Sequence, residues 1–470
     1  MPDSVTLSLI DGVRIVVPNS LDMITPYVLI EQQDWFEDEV RFLRRLLNPG
    51  EKVIDIGANY GIYTLSMAKA VGPTGFVWAF EPATNCAALV AQGAAANDFD
   101  HIVIERSALS SQCGTGCLAL NDHSELNALV RPENATPASE TVSVVTLDDC
   151  LQRYGWQDID FVKIDAEGEE ANILKGGRNF FAGLSPLIQF EVRVAEGFHL
   201  ELVQHFAELG FRSYRLVPGL DLLVPFGTDS TPDGYLLNLF CCKSSRAAGL
   251  AAEGYLVDCE PSASQPATDT TDDFDPSIDD YTWHFNIARL PYGAQLAPLW
   301  ENETASEDSP AVNDALAFYA ISRDDCLEPV RRFKALEASF NLLNSVCQKR
   351  PERLRLASLA RVAHEYGARS VAVSALQQLA TSIFQKNQID VSEPFLAPGE
   401  RFDSIPPGDS VSNWILASVL EQLERLMSYS SFYTGNAARQ RLEIIRSLGF
   451  ASPEMDRRLH LVQTRFGGGH

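Results

Sequence analysis

Short apolar runs alternate with amphipathic stretches from about residue 51 to 242. The runs KVIDI (52–56), GFVWAF (75–80), HIVIE (101–105), DFVKID (160–165), PLIQFEV (186–192), FRSYRLV (211–217) and YLLNLFCC (235–242) have the length and bounding residues of strands. Residues 64–70, 85–96, 169–181 and 197–209 carry helical spacing instead. In the last of these Leu202, Phe206 and Leu209 share a face, and Gly210 supplies a left-handed end. The alternation predicts an α/β fold with a mainly parallel sheet covered on both faces. The final two runs are joined by PGLDLLVPFGTDSTPDG, which has no helical period, so they are expected to pair antiparallel at the sheet edge.

Residues 1–50 read as a lead-in with early strands and a helix in which Phe36, Val40, Leu43 and Leu47 recur at helical spacing. Such a helix either packs on the sheet or covers the ligand as a lid. Residues 106–158 are too long for a plain connection. CLALNDHSELNALV and ETVSVVTL within them read as short strands, and TLDDCLQRYG as a helix; such insertions shape substrate specificity. The sheet domain therefore spans 51–245. From Ala247 to Asn286 there is no Lys or Arg but nine Asp or Glu, among Ser, Thr, Ala and Pro, which predicts a flexible acidic linker over 246–308. Residues 309–470 are expected to be all-α. Phe333, Leu336, Phe340, Leu343 and Cys347 form one stripe, Leu356, Leu359, Val362, Ala363 and Tyr366 a second ending at Gly367, and Ala372, Ala375, Leu379 and Ile383 a third. The 352–367 and 369–385 pair looks tetratricopeptide-like, but no fixed period recurs, and a helical bundle with an interaction surface for a protein partner is the expectation.

Charge narrows the partners. With 37 basic and 63 acidic residues the net charge is −26, which repels nucleic acid and anionic membranes. No run approaches a membrane span, and MPDSVTLSLIDG lacks a basic region followed by an apolar one, so a cytoplasmic protein is expected. The nine cysteines show no repeated pairing. CGTGC (Cys113, Cys117) stands without a second ligand pair, so reduced thiols are expected and no zinc site.

VIDIGANYGIYTLSMAKA, residues 53–70, passes from strand to helix through Asp55, Gly57, Asn59 and Gly61. A dinucleotide fingerprint has glycine where Asp55 stands. A carboxylate there is poor company for phosphate and suits a cationic ligand such as S-adenosylmethionine, with Gly57 and Gly61 letting the chain pass close beneath it. Glu81 ends the second strand, 26 residues on, where an acidic residue hydrogen-bonds ribose hydroxyls. Asp165 ends the fourth strand on the same rim, with Glu167, Glu169 and Glu170 beyond it and Glu191 ending the fifth. Asp165 can be a helix cap, and Asp165 or Glu167 can orient or deprotonate a substrate. His123, in NDHSELN, is a further candidate base.

PGEKVIDIGANYGIYTLSMA, GFVWAFEP, VTLDDCL, DFVKIDAEGEEANILKGG and LIQFEV, taken in order, resemble the FkbM family of S-adenosylmethionine-dependent methyltransferases over residues 30–195. The resemblance implies the seven-stranded, Rossmann-like methyltransferase sheet with an antiparallel last strand. It also implies O-methylation of a sugar, glycan or polyketide-type hydroxyl. Cofactor residues would be Asp55, Gly57, Asn59, Gly61 and Glu81, with Ser107 and Ala108 beside the adenine. The family's Asp-Val-Glu-Gly element reads Asp165, Ala166, Glu167, Gly168 here, and its serine-rich insertion is only partly matched by NDHSELNAL.

An alcohol is a weak nucleophile, which makes Asp165, Glu167 or His123 useful as a base. A divalent metal held by Asp165, Glu167 and Glu191 is compatible with the pattern but not required by it, and no metal ligand is assigned. The alternative to an O-methyltransferase is an inactive methyltransferase fold that recruits partners through its helices. A nicotinamide-dependent oxidoreductase is disfavoured by Asp55.

Overall fold

The computed structural model describes residues 3–131, 137–194, 197–227, 231–258, 281–302, 309–351, 354–386 and 389–466. The chain divides into two compact units. Residues up to 258 form the first, apart from two loops, 217–222 and 232–235, that belong with the residues from 259 onward in the second.

The first unit opens with a hairpin of β1 (Ser4–Ser8) and β2 (Arg14–Pro18), then α1 (Ile24–Gln32) and α2 (Asp38–Leu46). Next come β3 (Lys52–Ile56), α3 (Ile62–Val71), β4 (Phe76–Phe80), α4 (Thr84–Ala96) and β5 (Ile102–Glu105). The insertion folds as its own sheet, ordered β6 (Ser107–Leu109), β9 (Glu140–Val145), β7 (Gly114–Ala119), β8 (Ala128–Val130), and ends in α5 (Leu147–Tyr154). Thr146 caps that helix, its hydroxyl accepting from the Asp149 amide at 3.0 Å. The alternation resumes with β10 (Phe161–Ile164), α6 (Glu170–Gly176), α7 (Arg178–Gly183) and β11 (Leu187–Glu191). The small hairpin β12 (Arg193–Val194) and β13 (Gly197–Phe198), α8 (Glu201–Glu208), β14 (Arg212–Val217), β15 (Leu222–Pro225), β16 (Asn238–Cys242) and α9 (Ser244–Ala252) complete it.

The main sheet has the order β15-β14-β16-β11-β10-β3-β4-β5. From β11 to β5 the strands are parallel, and β16 runs antiparallel to both β11 and β14. The sheet holds eight strands where seven were expected. The added edge strand, β15, comes from the connection read as a long loop without a helix, where Leu222, Leu223 and Val224 form an apolar run that is buried.

Strand alternation assigns the faces. Ile54, Ile56, Val162, Ile164, Ile188 and Phe190 pack with residues of α5 to α8. Val53, Val77, Phe161, Leu187 and Phe240 pack with α2, α3 and α9. The lead-in helix α2 is therefore a packing helix, with Val40, Phe42 and Leu43 buried in that second cluster.

Three expectations change. The helix over 169–181 is two helices, parted at Gly177, which leaves the helical conformation at φ −120° and ψ 24°. The helix over 197–209 begins only at Glu201, since Gly197 and Phe198 pair with Arg193 and Val194. Part of the 246–308 stretch, expected to be a flexible linker, is folded. Ala247 and Leu250 of α9 join the core, Leu256 bridges Leu223, and Trp283, Ile287 and Tyr292 are buried in the second unit. The acidic run at 259–280 lies outside the described residues.

The second unit is helical: α10 (Pro291–Asn302), α11 (Ser309–Ser322), α12 (Pro329–Lys349), α13 (Arg355–Tyr366), α14 (Arg369–Lys386), α15 (Val411–Met427), α16 (Ser431–Thr434), α17 (Arg439–Ser447) and α18 (Pro453–Phe466). From α11 to α15 each helix packs on the next. Gly367, at φ +93°, ends α13 as expected.

Candidate active site

One polar row interrupts the apolar alternation on the α2 and α3 face. Asp55, Lys163 and Gln189 are cross-strand neighbours in register on β3, β10 and β11, and none is more than 3% exposed. Lys163 Nζ donates to Asp165 Oδ2 at 2.6 Å and lies 4.6 Å over the Tyr63 ring. The Tyr63 hydroxyl donates to Glu37 Oε2 and accepts from Gln189 Nε2 at 3.0 Å. Glu37, entering α2, also accepts from Trp35 Nε1 at 2.9 Å and Asn238 Nδ2 at 3.1 Å. Asp55 accepts from the Thr64 hydroxyl through Oδ2, while its Oδ1 and the Gln189 Oε1 are buried with no hydrogen-bond partner.

Burial dominates the electrostatics of this row. It raises the carboxyls of Asp55 and Glu37, and Lys163 opposes the rise in both. Burial would lower Lys163, but Asp165, Asp55 and Glu37 together outweigh it and hold the ammonium above its usual range. One cation thus serves three carboxylates.

The loop between β3 and α3 has three residues at positive φ: Gly57 at +83°, Asn59 at +50° and Gly61 at +89°. A Cβ on Gly57 would sit 1.8 Å from the Asp165 carbonyl oxygen, so glycine is required there by the close approach of the chain leaving β10. The Asn59 amide donates to Glu81 Oε2 at 2.7 Å and the Ala83 amide to Oε1 at 2.9 Å. Burial nevertheless pushes the Glu81 carboxyl up to about 7, against those two bonds. The insertion closes over the loop. Ser124 Oγ donates to Asn59 Oδ1 at 2.9 Å, and Glu125 accepts from the backbone amide of Thr25 at 3.1 Å.

Of the residues singled out in the sequence, Gly57, Asn59, Glu81, Ser107, Ala108, Asp165 and Glu167 line one cavity outside the C-terminal ends of the parallel strands. Asp55 and Gly61 are not on its wall. His123 is not on the wall; its neighbours Ser124, Glu125 and Asn127 are. Asp165, Glu167 and Glu191 converge, one carboxylate oxygen from each lying within 4.8 Å of the others, close enough to share a cation. Glu167 stands at the mouth with φ +49°, an uncommon conformation for a residue with a Cβ. Its carboxyl is raised by the part of it set into the wall and then by Asp165 and Glu170. Glu191 is raised by burial and then by Asp165 and Glu167.

Trp35, Glu37 and Thr25 from the lead-in, and Lys163, also line the cavity and were not picked out from the sequence. Lys163 had a signal, a charge inside a strand whose neighbours are apolar. Glu37 had none beyond its place before a helix.

Residues 55–213 match the methyltransferase FkbM domain. The methyltransferase sdnD of Sordaria araneosa is 28% identical over 154 residues, covering 26% of this chain and 59% of that protein, so the chain spans less than two thirds of that relative. Among solved structures, an FkbM methyltransferase from Methylobacillus flagellatus is 17% identical with a TM-score of 0.29, covering 41% of this chain and 43% of the other. An S-adenosylmethionine-dependent O-methyltransferase from Thermotoga maritima is 13% identical with a TM-score of 0.25, covering 51% and 77%.

Proposed function

We propose that this chain, with an FkbM methyltransferase domain at residues 55–213, is an S-adenosylmethionine-dependent O-methyltransferase for a hydroxyl of a sugar, glycan or other secondary product. One observation carries the reading: the 57–61 loop, Glu81, Asp165 and Glu167 meet around a single cavity at the strand ends. The donor set fits the cofactor. Glu81 offers carboxylate oxygens to ribose hydroxyls, Ser107 and Ala108 wall the adenine side, and the carboxylates beyond the loop suit a cation. When bound, the cofactor supplies a methyl group already activated by its sulfonium.

The protein's own work is alignment and proton handling. Lys163 holds Asp165 through Oδ2, which leaves Oδ1 to accept a hydrogen bond from the acceptor hydroxyl. Glu167, with its raised carboxyl, is better matched to taking a proton near neutral pH. The same two residues with Glu191 would hold a divalent cation if the acceptor needs one. The helical unit is assigned the recruitment of a protein partner or an acceptor complex.

Calorimetric titration with S-adenosylmethionine and S-adenosylhomocysteine tests the reading. Micromolar binding, weakened at least about tenfold (about 1.4 kcal/mol) in Glu81→Ala, supports it. No binding to folded wild-type protein refutes it. A screen of glycan and lipid acceptors follows, in which Asp165→Asn with wild-type activity would remove Asp165 from the mechanism.

A further inference from the structure

We infer that the cavity favours the charged methyl donor over its neutral demethylated product, so that the product formed by transfer is the weaker ligand. The inference rests on the S-adenosylmethionine reading above and specifies the charge selectivity of the same site.

Sheet order locates the two ends of the cofactor. Glu81 stands at the end of β4, the 57–61 loop follows β3, Asp165 follows β10 and Glu191 ends β11, on four successive strands. Strands lie about 4.8 Å apart, so a ligand holding its ribose on Glu81 would extend its cationic end across β3 toward the carboxyl groups that follow β10 and end β11. Glu37, just before α2, and Asp165 and Glu167, after β10, line the cavity there, and Glu191 from β11 brings a carboxylate oxygen within 4.8 Å of those of Asp165 and Glu167. Among the described residues lining the cavity Lys163 is the single Lys or Arg. Its ammonium is committed to Asp165 at 2.6 Å, with Asp55 and Glu37 as its other charged neighbours.

Glu167 and Glu191 have no cationic side chain within ion-pair distance among the described residues, and their carboxylate oxygens crowd that of Asp165. A sulfonium placed there gives these carboxyl groups the cationic neighbour they lack, and its own loss of hydration is offset by attraction that water screens poorly in a walled site. The thioether of the product carries no charge and gains neither effect. Adenosine, ribose and amino-acid contacts are common to both ligands and cancel in the comparison.

The test is calorimetric titration of both ligands at low salt with a chelator present, on wild type and on the double variant Glu167→Gln/Glu191→Gln. In wild type the donor should bind at least about tenfold tighter than the product, and the double variant should lose most of that ratio. Its affinity for the product should stay within about twofold, which also shows that it is folded. If the double variant binds neither ligand, Glu191→Gln alone should lower the ratio. Equal affinities in wild type, or an undiminished ratio in a variant that binds the product, overturns the inference while leaving the cofactor assignment intact. Binding of neither ligand to wild type overturns both.

Discussion

Replacing Lys163 with methionine keeps the length of the side chain and removes the charge from the middle of the polar row. Lys163 is 3% exposed, Asp55 is fully buried, and Glu37 faces them from α2. The substitution therefore leaves carboxylates stranded where water cannot replace the ammonium. Breaking a buried ion pair from one side costs about 3–5 kcal/mol. In a unit of this size each kcal/mol shifts the midpoint by about 2–4 °C, so Tm of the first unit should fall by about 6–20 °C. The pH dependence has a definite sign. Burial already holds Asp55 and Glu37 above their unfolded values, and Lys163 restrains both. Without it they rise further, the native state binds more protons than the unfolded one, and stability falls as pH rises through that interval. The deficit relative to wild type should thus be larger at pH 8 than at pH 5. Differential scanning calorimetry at both values is the assay. A Tm loss below about 2 °C, or a deficit independent of pH, would refute the claim that one ammonium supports these carboxylates.

The remaining expectations concern the cofactor loop and the helical unit. Because the Glu81 carboxyl sits at about 7 and its ionised form is the better acceptor for ribose hydroxyls, cofactor affinity should rise from pH 6 to pH 8, and Glu81→Gln should flatten that rise in calorimetric titrations. Gly57→Ala would bring a Cβ to 1.8 Å from the Asp165 carbonyl oxygen, whereas Gly168→Ala at φ +97° meets nothing within 4 Å. Denaturant unfolding should show Gly168→Ala costing about 1–2 kcal/mol of backbone strain and Gly57→Ala clearly more. Arg355 and Glu393 form a two-bond pair at 2.7 and 2.9 Å, each 4% exposed, so Arg355→Met should cost the helical unit about 3–5 kcal/mol. The exposed pair Arg439–Glu443, at 2.9 Å, should contribute no more than about 0.5 kcal/mol by the same measurement.

What could be read from the chain follows the range of the forces involved. KVIDI, GFVWAF and DFVKID announced the parallel core because burial on both faces demands continuous apolar runs, and each strand lies within a residue or two of its expected place. Gly57, Glu81 and Asp165 were legible because a turn and the strand ends confine them to one rim. The eighth strand was not, because LDLLVP is short and gains its order from pairing at an edge rather than from local preference. His123 was favoured for its chemistry, but which residue of NDHSELN faces the cavity depends on how the short turn at Ser124–Leu126 seats against Asn59 and Thr25. Glu169–Phe181 carried one helical pattern, which Gly177, free of any side-chain preference for the helix, divides.

Glu37 shows why the site extends beyond the segment that matches the methyltransferase FkbM domain. The matched region begins at Asp55, yet the carboxylate that receives Tyr63, Trp35 and Asn238 comes from before it, and Asn238 lies after its end at residue 213. Tyr63 links that carboxylate to Gln189, and its ring carries the Lys163 ammonium. The orientation of Asp165 therefore depends on a chain of contacts anchored at both ends outside the matched region. Cutting the chain to 55–213 would remove Glu37, α2 and the antiparallel strand β16 together. It would also sever β3 at Asp55 and expose Phe161 and Leu187, whose burial helps hold β10 and β11 in register. The lead-in thus contributes twice to one site, through the apolar face of α2 that fixes the strands and through the residue at its entrance that completes the charge pattern around Lys163.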